Sequence, residues 1–382
     1  MAAASVRDIR LDLFRGLALW FIFLDHIPTN IVSWLTVRNY GFSDATEIFV
    51  FISGYTAVIA YSRMLEEEGW PRTAARIYRR VWQLYVAHIL LFVAFSAQIA
   101  WVSIARDTPA LIEEMELLGL GQNPYRAILE AALLKFRPVN LDVLPLYIVL
   151  LAVFPLVLPV VVRWPWVVIG VSFAFYAATC HLNWNLPAYP DEKVWYFNPL
   201  AWQVVFHVGA ACAVFGPGLS RLDRYRGPLT TLVVAFLLFA AFIALSWQYN
   251  PLERLVPVWV ARVIYPIDKT NIDILRFLHF LAIAWLVRIA VPIDAPALKW
   301  RIWEPLRRCG EASLLIFCIG TFLALSGQVI VSQYEDSILS QILVSIGGIA
   351  IMCVAAYIAA WFKRGNARAA AARARVATGA SR

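Results

Sequence analysis

Apolar residues arrive along this chain in runs of about twenty, each closed by a short cluster of polar and charged residues. That is the length an α-helix needs to cross the hydrocarbon of a bilayer. Ten such runs are legible, at 12–34, 44–62, 81–103, 142–162, 165–181, 199–216, 228–247, 271–291, 311–331 and 337–362. The second, fifth and sixth are short, and little more than Arg163 and Trp164 divides the fourth from the fifth. Ten fits the pattern best, with nine or eleven as its neighbours. The predicted fold is an all-α polytopic transmembrane bundle, a single domain over 1–365, followed by a disordered basic tail over 366–382.

Composition agrees with this pattern. Hydrophobic residues make up 61% of the 382 positions and charged residues 15%, where a soluble chain carries about half and a quarter. The first apolar run is too long for a signal peptide and lacks a small-residue cleavage site after a short core, so it is expected to stay as a span. The net charge of +8 does not point to nucleic acid, because the basic residues sit in short clusters between apolar runs. Those clusters read as topology signals. With the N-terminus on the cytoplasmic side, the inner segments hold 21 Lys and Arg and the outer segments 9, which predicts both termini cytoplasmic. The five cysteines show neither metal-site nor disulfide spacing, so no metal is expected.

Ionisable side chains inside apolar runs are costly, and they mark function or pairing. Here they fall into two layers. Toward the inner face lie Arg15, Arg76, Arg79, Arg80 and Arg288, guanidinium groups suited to holding phosphates. Toward the outer face lie Asp25, His26, Asp44, Glu47, Asp142 and His279. An imidazole is the usual general base near neutral pH, and a carboxylate can orient it and stabilise its charged form. Asp25 is adjacent to His26 and so about 100° away around a helix, which makes Glu47 or Asp44 the better orienter. From Arg15 to His26 is eleven positions, roughly 16 Å along a helix. A donor held by its phosphates at the inner face could present a thioester near His26 across that distance. The longer outer loops, 104–141, 182–198 and 248–270, are rich in Pro, Asn, Tyr and Trp and suit an acceptor site.

Arg15 and His26, then Glu47 through Tyr55, then Arg76, Arg79 and Arg80 resemble the membrane acyltransferase-3 superfamily. A closer resemblance, to the OpgC family, lies in Leu11 to Gly16, Asp25 to Pro28, Gly41 to Asp44, Leu141 to Tyr147, Phe197 to Gln203 and Leu278 to Ala282. It implies ten spans in a bacterial inner membrane and an acyl-CoA donor, with succinyl-CoA characteristic. It also implies an acceptor among periplasmic glucans, His26 as catalytic base and Arg15 as its paired cation. Asp142, Asn198, Trp202 and His279 are then expected to contact the acceptor. The runner-up is O-acetylation of another surface polysaccharide. A transporter of an anionic solute is less favoured, because the charged residues concentrate in the first two helices and the start of the third rather than in two related halves.

Overall fold

Prolines and side-chain caps set where the helices start. The computed structural model describes residues 8–216, 221–334 and 337–365; the tail predicted over 366–382 lies outside them. Asp8 accepts a hydrogen bond from the Arg10 amide at 3.0 Å and opens α1, Ile9–Asp25. Asp44 opens α2, Ala45–Glu68, and Gly69, at φ 80°, closes it in the left-handed region that suits glycine. Proline occupies the first turn of α3 (Trp70–Ala105), α5 (Pro165–His181) and α6 (Pro199–Phe215), where the missing N–H costs nothing. Between them α4 spans Val143–Arg163. Further along are α7 (Arg226–Ser246), α8 (Ile274–Ala290), α9 (Glu304–Glu311), α10 (Ser313–Gln333) and α11 (Ile338–Gly365), and the connecting segments hold short helices such as Pro124–Ala132 and Val258–Ile264.

Every proposed apolar run contains a helix. Among the described residues, six helices are long and apolar enough to cross a bilayer: α2, α3, α4, α10, α11 and the one holding α7. Four more, α1, α5, α6 and α8, have 17 residues each. Three boundaries differ from expectation, the least of them the end of α2, which runs on from 62 to Glu68. The first helix stops at Asp25 instead of near 34, because Pro28 cannot continue the hydrogen-bond ladder, and two short 3₁₀ turns follow. The third starts at Trp70, eleven residues before its apolar run, so Arg76, Arg79 and Arg80 sit within the helix rather than ahead of it.

The chain divides into two compact units, one built from the segment up to Val32 with that from Val291 onward, the other from Ser33–Ala290. In the first, α1 packs on α9 and α10, and Phe23 of α1 fills the space that a side chain at Gly348 would need. In the second, α2 and α6 meet backbone to backbone: a Cβ at Gly54 would overlap the Phe206 carbonyl, and one at Gly209 the Phe51 carbonyl. Such close approach through small residues is how helices associate where lipid gives no hydrophobic drive. Phe206 and Phe154, both fully buried with rings 5.4 Å apart, fill the core beside that seam. Apolar side chains such as Leu232 and Leu238 on α7 and Leu343 and Ile346 on α11 face outward, as a lipid environment requires.

Candidate functional site

In the first unit, α1 carries Arg15 near its start and His26 at its end. His26 caps the helix, its backbone N–H donating to the Ile22 carbonyl at 3.2 Å. Its ring Nδ1 lies 2.5 Å from the same carbonyl. A carbonyl only accepts, so Nδ1 carries a proton, and in the neutral form of the ring Nε2 is then the basic nitrogen. The half-buried ring is thus oriented by the helix end itself. Just beyond it, the buried Asn30 side chain donates to Ser345 Oγ of α11 at 3.1 Å, and the Ile31 amide to Gln341 Oε1 at 2.6 Å. Those two contacts fix the turn that follows His26. The sequence reading did not single out Asn30, Gln341 or Ser345.

In the second unit, Asp44 and Glu47 start α2 as a capping box. Asp44 Oδ1 accepts from the Thr46 amide at 2.8 Å, and Glu47 Oε2 from the Asp44 amide at 2.9 Å. Their other oxygens meet cations. Lys269 Nζ is 2.6 Å from Asp44 Oδ2, and Arg276 bridges both acids, at 3.0 Å to Asp44 Oδ2 and 2.6 Å to Glu47 Oε1. Glu47 is fully buried, and Arg276 nearly so. Two acids and two cations leave the group neutral, which is how buried charge is tolerated. Burial opposes the charge on Lys269, but Asp44 together with Glu47 and Tyr196 leaves its pKa raised. Asp44 and Glu47 were expected from the sequence. Arg276 was visible only as a charge within an apolar run, and Lys269 not at all.

The candidate acceptor residues surround this group. His279 Nδ1 accepts from the Ser43 amide at 3.3 Å and lies 2.7 Å from Ser43 Oγ, and a Cβ at Gly41 would overlap its ring. It thereby pins the turn that leads into α2. Asn198 is fully buried, donating to the Trp184 carbonyl at 2.6 Å and to Asn271 Oδ1 at 2.8 Å while accepting from the Leu200 amide at 3.1 Å. The Trp202 indole donates to the Lys269 carbonyl at 3.0 Å. Asn198 and Trp202 therefore hold the loop that presents Lys269. Asp142, ahead of α4, pairs with Arg137 at 2.8 Å, and that guanidinium lies 4.3 Å from the Trp195 ring centre.

Of the expected inner cations, Arg76 and Arg79 are exposed on α3, Arg80 bonds Gln83 at 3.2 Å, and Arg288 pairs with Asp223 at 2.9 Å. Among the described residues no cluster of His, Cys, Asp or Glu could hold a metal ion.

Apolar helices with outward-facing hydrophobic surface define a polytopic membrane protein, with a neutralised charge group inside its second unit and the His26 imidazole at a helix end of its first. The chain belongs to the OpgC family: the model described as OpgC protein matches residues 7–364. That membership makes it a membrane acyltransferase for glucan modification. No curated protein and no solved structure matches the chain.

Proposed function

We propose that the protein moves an acyl group, succinyl by family resemblance, from a cytoplasmic acyl-CoA to hydroxyls of a periplasmic glucan at the bacterial inner membrane. His26 acts as general base. The acceptor oxygen attacks the thioester carbonyl as its proton passes to Nε2, the tetrahedral intermediate collapses, and the departing sulfur takes that proton back. Arg15 in the first unit and the basic face of α3 in the second are each proposed to meet donor phosphates, and Asp142 and the outer loops to meet the glucan.

The observation that supports this reading is the Nδ1 contact to the Ile22 carbonyl, which puts the proton of a neutral ring on Nδ1 and its basic position on Nε2. Asp25, beside His26 on α1, is proposed as the acid that stabilises the imidazolium; Asp44 and Glu47, candidates for the same role from the sequence, are bonded in the second unit to Arg276 and Lys269. The test offers the purified protein a series of acyl-CoAs with periplasmic glucan and measures released coenzyme A and acylated product. Succinyl-CoA should be the preferred donor, and transfer should depend on the acceptor. Coenzyme A release that ignores the acceptor would overturn direct transfer.

A further inference from the structure

The inner end of the first unit holds a cation that the reading of the sequence left aside. Helices α1 and α9 meet at two glycines: a Cβ at Gly16 would overlap the Leu306 carbonyl, and one at Gly310 the Asp12 carbonyl. Leu13 packs with Leu306, and Trp20 lies against Cys309, so the two helices run in the same direction along this seam. At about 100° per residue, Arg15 is rotated one step back from Gly16 and Arg307 three steps back from Gly310. Between parallel facing helices those rotations, about −100° and +60°, lead to the same flank. Trp20 and Cys309 fall on the other.

The acids at this end are already committed. Asp8 holds Arg10 at 2.8 Å, Glu304 and Glu311 hold Arg308 at 3.2 and 3.1 Å, and Asp12 is itself partnered. Arg307 differs from its neighbour Arg308. Its Nε is buried and has no hydrogen-bond partner, an expensive condition for part of a charged group. An acceptor brought in by a ligand would satisfy it.

We infer that Arg307, together with Arg15, forms a phosphate-binding pair on one flank of the α1–α9 seam. The ligand group is a phosphate ester. Its source is the coenzyme A moiety of the donor or the headgroup of an anionic lipid, and the first of these rests on the donor reading above. Two guanidinium groups give the forked, charge-assisted contacts that phosphate oxygens accept.

The experiment measures binding of coenzyme A and retention of phosphatidylglycerol by full-length protein in detergent, for wild type, Arg307→Gln, Arg307→Lys and Arg308→Gln. Arg307→Gln should weaken coenzyme A binding about ten- to a hundredfold, Arg307→Lys less, and Arg308→Gln little. The same ordering in lipid retention, with coenzyme A affinity unchanged, assigns the pair to a lipid headgroup. Equal binding of both ligands by wild type and Arg307→Gln would overturn the inference. If wild type binds no coenzyme A, the donor reading fails, and the lipid arm alone decides the role of Arg307.

Discussion

Arg276 Nη2 stands within hydrogen-bond reach of two carboxylates at once, 3.0 Å from Asp44 Oδ2 and 2.6 Å from Glu47 Oε1. The same two acids cap the first turn of α2 with their remaining oxygens. One side chain on α8 therefore neutralises the start of another helix, and its removal leaves two buried acids with a single lysine.

Arg276→Met should accordingly destabilise the protein by roughly 3–5 kcal/mol, the cost of breaking a buried ion pair. Arg276→Lys keeps the charge but loses the bridge, and should fall between. Thermal unfolding in detergent checks the order, and a stable Arg276→Met variant would show that the acids reach water.

His26→Gln retains hydrogen-bonding capacity but has no titrating nitrogen. Transfer should fall about 10²- to 10⁴-fold while yield and unfolding temperature stay near wild type. A folded variant with near-normal transfer would remove His26 from the mechanism.

Glu47→Gln and Asp44→Asn separate orientation from assembly. If these acids stabilise the imidazolium that forms on His26, turnover should drop more than donor affinity does, measured as kcat against KM. A loss of yield with unchanged turnover per folded molecule would confine them to capping α2.

Gly16→Ala and Gly310→Ala place a methyl group where the opposing backbone already lies. Each should cost about 1–3 kcal/mol by overpacking, and each should lower the unfolding temperature. Gly365→Ala, where nothing lies within 4 Å, serves as the neutral control.

The helices were legible because lipid-facing sequence has a strong signal: each apolar run contains a helix, and the fifth and sixth runs start at or beside Pro165 and Pro199, where the helices begin. The run that ended at 34 misled because Trp34 and Leu35 are apolar, although Pro28 had already stopped the helix. The first eleven residues of α3 were missed for the opposite reason, since a polar stretch of good helix formers leaves no hydropathy trace. Asp44, Glu47 and His26 stood out as polar groups in the wrong solvent. Their partners did not. Lys269 lies 225 positions from Asp44 and Arg276 lies 229 from Glu47, and no periodicity within one chain encodes a pairing across that separation.

The length of α3 carries a kinetic consequence. Thirty-six residues rise about 54 Å, well beyond a hydrocarbon layer of about 30 Å. The surplus lies ahead of the apolar run and bears Arg72, Arg76, Arg79 and Arg80, the first three of them exposed. The helix therefore extends past the bilayer as a positively charged mast whose field reaches about one Debye length, near 8 Å in physiological salt. A polyanion diffusing in water would be drawn to that mast from beyond contact distance, so its capture should slow as ionic strength rises, even where the chemistry that follows does not.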